Sequence, residues 1–476
     1  MADLSVGGLA TGIDTTSLIS QLMYLERAPE RVLQSKQSTM QSQVDVYNQI
    51  TNLLNSLKTI AAGMNTPTTF MGKTTSVGDS TVASATAAST ATPGSHTIVV
   101  TSLAKNQRQV TDTGVADADA MNFNSGSIVI NGGTSPVTVT IAEGQNSLNG
   151  IAAAINGSGA NVTASVINDG SANPYRLVIT GKDTTNYTLD FSGLTTAPAS
   201  PTGAAYANPT ITQSGPTYQA GASASFSVDG INITKTSNTV SDVIPGVTFT
   251  LLKEGGATTS VTVDNDTAGV TKKITDFIGA YNAAMSQINK QSDYNATTKQ
   301  GGVLSGDSTL RTVKSQLQSI ISTPVSGVNS AFATLAQIGI KTDYTNGTLT
   351  LDSTTLSNAL ASNFDDVVDL FTYNSGVSGL SQEQYGAAEQ YNQVIDKLTH
   401  TYEGPSSTAN GIISTRVQGL TDSISDINDQ VDAMEVLMTQ KQDSLKKQYA
   451  AMEELVSNLQ GQGNTLLTFL SKSTYY

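Results

Sequence analysis

From Ile413 onward, apolar residues recur at alternating spacings of four and three: Val417, Leu420, Ile424, Ile427, Val431, Met434, Met438, Leu445, Met452, Leu455 and Leu459. Lys441 and Gln448 alone break the register. An average step of 3.5 residues draws a narrow seam along an α-helix that must be buried against another helix, so the pattern predicts a coiled-coil strand. The seam lasts from 413 to 459, more than six heptads, and the helix it predicts is on the order of 75 Å long. Within it, Lys441 and Gln448 are either polar steps that lower affinity while keeping register, or solvent positions with the lysine turned outward.

The N-terminal part carries a matching pattern. Leu18, Leu22 and Leu25 define one helical face, and Pro29 then falls in the first turn of a second helix. Leu33, Met40, Val44, Tyr47, Leu54 and Ala61 keep the four-three register, with polar Gln37, Thr51 and Lys58 at the intervening steps. This helix is the expected partner of the C-terminal seam, and Gly63 with Asn65-Thr66-Pro67 ends it.

Between about 68 and 265 the period changes to two, in short Val-, Ile- and Thr-rich runs separated by Gly, Asn and Asp turns. His96 to Val100, Ser127 to Ile130, Val137 to Ile141, Asn161 to Ile167 and Arg176 to Thr180 are predicted strands. Asp229-Gly230 predicts a type I′ hairpin turn, because both of its central residues need positive φ. A helix from Ser147 to Ile155 interrupts the strands, and the Pro-, Ala-, Thr- and Gly-rich passage from Leu194 to Tyr218 predicts a long loop between two β subdomains. Helical periodicity returns at Ala268 with Ile274, Ile278, Tyr281, Met285 and Ile288. It returns again beyond an Asp307 or Ser308 cap, with Leu310, Val313, Leu317 and Ile320. A hairpin from Ile340 to Leu351 around Asn346-Gly347 follows, then two short helices carrying Leu356 and Leu360, and Val367, Leu370 and Phe371. Gly404-Pro405 forms the joint into the C-terminal helix.

The expected fold class is therefore an α+β multidomain protein, with β-rich head domains inserted into a helical stem whose N- and C-terminal helices form a coiled coil. The expected domains are 1–40, an N-terminal helical docking segment; 41–67 with 268–408, a helical leg; 68–111 with 221–267, a β domain; 112–220, an inserted β-rich outer head; and 409–476, the C-terminal coiled-coil helix and tail. The tail carries Leu466, Leu467, Phe469 and Leu470.

Composition narrows the chemistry. The 476 residues include no cysteine, so disulfides and thiol nucleophiles are excluded, and a net charge of −14 argues against a phosphate-backbone partner. The first residues show neither a basic region nor an apolar run, and no stretch has membrane-spanning length, so no signal peptide and no membrane insertion are expected. Met71-Gly72-Lys73-Thr74 lacks the first glycine and the preceding strand of a phosphate loop. Asp264-Asn265-Asp266 begins like a calcium loop, but Ala268 and Thr275 stand where oxygen donors are needed. His96 and His400, the two histidines, lie far apart and have no nearby cluster of ligands. No Gly-x-Ser-x-Gly elbow occurs. The residues thus single out no catalytic, metal or cofactor site.

Three passages resemble the flagellar filament-capping family, hook-associated protein 2. The first is Gly8-Leu9-Ala10-Thr11-Gly12-Ile13-Asp14 followed by Leu22-Met23, Glu26 and Pro29, with Gly7 and Thr11 where the family usually carries serines. The second is Ser237 to Thr248 with Leu251. The third runs from Leu304-Ser305-Gly306-Asp307-Ser308 through Gly347 to Asp352 and on to Leu356, Leu360 and Leu370-Phe371. Residues 147 to 167 also resemble the small β-α-β module inserted in flagellins and caps.

The resemblance implies a secreted, non-enzymatic protein at the extracellular tip of the bacterial flagellum. It implies assembly with itself, as a homo-pentamer or a hexamer, on the filament or hook-filament junction, where it helps exported flagellin fold and insert. It also implies contact with the flagellar export apparatus and an export chaperone, and it makes Gly8, Leu9, Gly12, Ile13, Asp14, Leu22 and Met23 a docking motif. An adhesin whose β head binds host mucin or glycan is the alternative, separable by testing residues 68 to 265 for glycan binding.

Overall fold

The computed structural model describes residues 11–133, 135–197, 207–295, 299–376, 381–401 and 410–473. The chain divides into two compact units: residues 1–70 with 267–476, and the contiguous stretch 71–266 between them. The first unit opens with α1 (Thr15–Glu26), α2 (Ala28–Ala62) and the single turn α3 (Pro67–Phe70). Asp14 caps α1 by accepting the Ser17 amide at 2.9 Å, and Pro29 sits in the first turn of α2, where its missing N–H leaves no helical bond unmade. The buried face of α1 is Thr15, Ile19 and Met23, with Leu22 half-buried. The expected face of Leu18, Leu22 and Leu25 is therefore not the covered one: Leu25 is exposed because it lies two positions from Met23, on the opposite side of the helix.

Among its described residues the inserted unit holds fifteen strands, β1 to β15: β1 (Lys73–Val77), β2 (Ala83–Ala87), β3 (Gly94–Ser102), β4 (Arg108–Val110), β5 (Ser125–Asn131), β6 (Val137–Ile141), β7 (Val162–Asn168), β8 (Tyr175–Gly181), β9 (Thr188–Asp190), β10 (Leu194–Thr196), β11 (Ala224–Val228), β12 (Ile231–Lys235), β13 (Thr239–Ile244), β14 (Val247–Leu251) and β15 (Ala257–Asn265). One antiparallel sheet has the order β1-β15-β3-β11-β12 and another the order β13-β14-β2. They enclose a core of Ile98, Val100, Phe226, Phe249, Val261 and Val263, where the rings of Phe226 and Phe249 meet edge to face at 5.7 Å. A second core lies under α4 (Leu148–Gly157), whose Leu148, Ile151 and Ile155 pack with Ile128, Ile141, Val162, Leu177 and Ile179 of the sheets β10-β5-β6 and β4-β8-β7. Of the passage 194–218 expected to be a loop, Leu194–Thr196 is strand β10 with Leu194 buried, and 198–206 lie outside the described residues.

The chain then returns to the helical unit with α5 (Thr267–Ser292), the short strands β16 (Tyr294–Asn295) and β17 (Gln300–Gly301), α6 (Ser308–Ser322), β18 (Ile340–Thr342), β19 (Leu349–Leu351), α7 (Ser353–Ser362), α8 (Phe364–Thr372), α9 (Ala387–Thr399) and α10 (Ile412–Ser473). The hairpin β18/β19 is closed by six residues, 343 to 348, rather than by Asn346-Gly347 alone. In that loop Asp343 takes the amide and hydroxyl of Thr345. The core joins Tyr47, Ile50, Leu54 and Leu57 of α2 to Ile274, Phe277, Tyr281 and Met285 of α5 and Tyr391, Ile395 and Leu398 of α9. Tyr391 lies 5.0 Å from the Phe277 ring and donates its hydroxyl to the Leu317 carbonyl at 3.0 Å, so its own polar group stays hydrogen-bonded on burial.

Candidate functional site

The two arms of the chain meet along α10. Gln37 donates to Asn428 at 2.7 Å, Lys441 pairs with Glu26 at 2.6 Å, and the Thr11 amide donates to Glu453 at 3.3 Å, with the Thr11 hydroxyl on the same carboxylate. Partner numbers fall on one strand as they rise on the other, so α1 and α2 run antiparallel to α10. The bonds span some 400 sequence positions, from 391 for Gln37 and Asn428 to 442 for Thr11 and Glu453.

On α2 the side chains of Val44, Tyr47 and Leu54 are buried, and Leu33 and Met40 are half-buried. On α10, Ile413, Leu420 and Ile427 are buried, and Val417, Ile424, Val431, Met434, Met438, Leu445 and Met452 are half-buried. Beyond Met438 the expected track and the covered track separate. Gln442, Tyr449 and Val456 take the half-buried positions, while Lys441 and Gln448 are exposed, as are Leu455 and Leu459 at 60 % and 56 %. The cause is geometric. A strict seven-residue repeat drifts by about 20° per heptad on a straight helix. The covered face steps by four from Met434 to Met438 and by four again to Gln442, which cancels that drift. The tail side chains Leu466, Leu467, Phe469 and Leu470 are likewise exposed.

At the other end of this surface, Gly12 has φ of 71°, a conformation that costs a residue with a side chain but not glycine. Asp14 caps α1 two positions later. Ile13 is exposed, Leu22 half-buried and Met23 buried, whereas Gly8 and Leu9 lie outside the described residues.

A polar junction fastens three helices at the base of the pairing. Asp307 caps α6 by accepting the Leu310 amide at 3.1 Å, accepts the Tyr47 hydroxyl at 2.7 Å, and faces Arg416 at 3.3 Å with 9 % of its side chain exposed. Burial alone would raise the Asp307 carboxyl, but the hydrogen bonds from Tyr47 and Leu310 and the charge of Arg416 together hold it below the usual carboxylate range. Burial, and then the Asp307 bond, push the Tyr47 phenol up. The sequence marked Asp307 as a cap and as part of the third family-like passage, and nothing in its pattern singled out Arg416. Elsewhere, Lys73 opens strand β1, and His96 sits on β3 with its Nδ1 2.7 Å from Asp229. Among the described residues no three His, Asp or Glu side chains gather as a metal ion would require.

A β-rich part inserted between two stretches of a helical part, with the chain's two arms paired along one long helix, defines a multidomain α+β protein organised for helix-mediated contact. Three sequence models match it: Flagellar hook-associated protein 2 N-terminus over residues 11–107, its C-terminus over 221–461, and Flagellin hook IN motif over 121–183. The chain belongs to the flagellar hook-associated protein 2 family. It is 29 % identical to A-type flagellar hook-associated protein 2 of Pseudomonas aeruginosa, over 96 % of this chain and 95 % of the relative. It is 28 % identical to the hook-associated protein 2 of Escherichia coli K12, over 80 % and 83 %. The solved D1-D2-D3 domains of the Escherichia coli flagellar cap protein FliD superpose with a TM-score of 0.60 at 28 % identity, covering 79 % of this chain and 99 % of that one.

Proposed function

We propose that this protein caps the distal tip of the bacterial flagellar filament as a homo-oligomer and promotes the folding and insertion of exported flagellin. The family membership over both arms and the insertion carries this reading. The exposed apolar side chains Leu455, Leu459, Leu466, Leu467 and Phe469 at the end of α10 support it, because a helix that leaves such residues in water gains stability when another surface covers them. The subunits form a pentamer or a hexamer on the filament or hook-filament junction, outside the cell, after passage through the export apparatus with a chaperone. No catalytic group is needed, since the folding and packing of flagellin drive its insertion.

The test is a strain lacking this protein and complemented with it. Labelled antibody should mark filament tips in electron micrographs, and loss of the protein should release unpolymerised flagellin into the medium. Label distributed along the filament, or normal filaments without the protein, would refute the proposal.

A further inference from the structure

The inserted unit has two cores that share no side chain, one around Phe226 and Phe249 and one under α4. The chain leaves the first at β3, enters the second at β4 and returns to the first at β11. Residues 103–109 and 218–223 make the crossing, as antiparallel partners. Lys105 and Ala222 exchange both backbone bonds, at 2.8 and 2.9 Å, and so do Arg108 and Gln219, both at 2.9 Å. A two-stranded ribbon is only marginally ordered by itself.

Side chains from both cores hold this one. From the first, Asn238 accepts the Ala104 amide at 2.7 Å and donates to the Ala104 carbonyl at 2.9 Å. Asn238 is itself fixed beside β13, where its backbone carbonyl accepts the Leu251 amide at 2.9 Å. From the second, Asn186 accepts the Gly221 amide at 2.8 Å and donates to the Gly221 carbonyl at 3.0 Å. A carboxamide carries an acceptor and a donor side by side, so each asparagine treats the ribbon as a neighbouring strand would. On the second side the grip is reciprocal. The Gln107 Oε1 accepts the buried Tyr187 amide at 2.7 Å, and the Gln109 Nε2 donates to the Tyr187 carbonyl at 2.5 Å. Gly221 approaches so closely that a Cβ there would stand 2.4 Å from the Thr184 carbonyl oxygen, a fit that only glycine allows.

A hinge works through residues whose φ and ψ are free to change. In the ribbon, both backbone groups of Ala104, Lys105, Arg108, Gln219, Gly221 and Ala222 are already bonded. Turning one core against the other must break several of these bonds together. We propose that Asn238 and Asn186 are the two fasteners of a rigid tie, through which the two β subdomains move as one body. The passage Ser237 to Thr248, singled out in the sequence, thereby gains a mechanical role for its second residue. The tie stands whether or not the protein caps filaments.

Spin-label distances on the full chain test it. The chain has no cysteine, so Ser76→Cys on β1 and Ser165→Cys on β7, both exposed, place one label in each subdomain. The labelled protein should show a single narrow distance distribution. Adding Asn238→Ala with Asn186→Ala should broaden it. Gly221→Ala, which wedges the Asn186 contact apart and leaves both asparagines in place, should broaden it too. In both backgrounds amide exchange at Lys105, Arg108, Gln219 and Ala222 should accelerate by about tenfold, while the central strands β3 and β8 keep their rates. Three results overturn the proposal: a broad or multiple distribution with both asparagines present, no broadening in the variants, and acceleration in β3 or β8 equal to that in the ribbon. The last would make the asparagines supports of the cores rather than of the tie.

Discussion

Ile427 and Leu437 offer a direct test of which face of α10 the α1 and α2 helices cover. Ile427 is 4 % exposed and Leu437 is 60 % exposed on the same helix. Truncation to alanine removes three carbons from each. At Ile427 the lost transfer energy is about 2.4 kcal/mol at ~0.8 kcal/mol per buried carbon, and an uncollapsed cavity moves the total further into the range of roughly 2 to 5 kcal/mol. At Leu437 the change should stay within about 0.5 kcal/mol. A difference of about 2 kcal/mol is a roughly 30-fold change in an opening equilibrium. Amide exchange of the segment 420–434 should therefore accelerate by about that factor in Ile427→Ala and remain near wild type in Leu437→Ala. Amides of β3, in the inserted unit, serve as the internal reference and should not change in either. Equal acceleration in the two variants would refute the assignment of the covered face.

Other outcomes follow from the same structure. The folded Asp307 carboxyl lies below its unfolded value, so its stabilisation is complete above about pH 4 and is lost as pH falls through the folded value. Acid unfolding of the helical unit should thus be less steep in Asp307→Asn, which should also be less stable at neutral pH by about 1 to 3 kcal/mol; identical acid profiles would contradict this. Tyr449→Ala should accelerate the exchange of α10 more than Lys441→Leu with Gln448→Leu does, because only Tyr449 lies on the covered track and the double variant loses only the solvent-exposed Lys441–Glu26 pair, which contributes little. The same double variant tests whether exposed polar steps limit tip affinity, in which case filament growth slows. Gly230→Ala meets no atom within 4 Å but holds φ of 84°, so it should cost the inserted unit about 1 to 3 kcal/mol through backbone strain alone, read as a lower melting temperature of that unit.

Much of this architecture was legible in the residues, and the failures have identifiable causes. Period two and period 3.6 separated the inserted unit from the helices because each sheet and helix buries one face. Asp229-Gly230 named its turn because few residues tolerate positive φ twice, and the structure has φ of 50° and 84° there. Helix α9 went unread, although Tyr391, Val394, Ile395 and Leu398 have helical spacing. Its short apolar face stands just before the Gly-Pro joint, and the aromatic packing on Tyr391 that fixes it comes from residues distant in sequence. The strict heptad extended through Lys441 and Gln448 because a repeat is counted in sequence, whereas the covered face follows the pitch of a straight helix. Gly461 and Gly463 carry no apolar signal, so periodicity ended at Leu459 while α10 continues to Ser473. The Tyr47-Asp307-Arg416 junction joins side chains from three separate segments, a convergence that no local pattern encodes.

The insertion point has a consequence in time. Residues 71–266 are contiguous and close on themselves, so in a chain emerging N-terminus first they can fold while the rest is still arriving. The helical unit cannot follow that schedule. Its α1 and the N-terminal part of α2 come early, yet their partner is α10, with Thr11 waiting for Glu453 across 442 positions. Closing contacts at such separation is slow, because the entropy of the loop is lost before the contact is gained. The two arms therefore stay unpaired longest, and their apolar faces remain open until the chain is almost fully delivered.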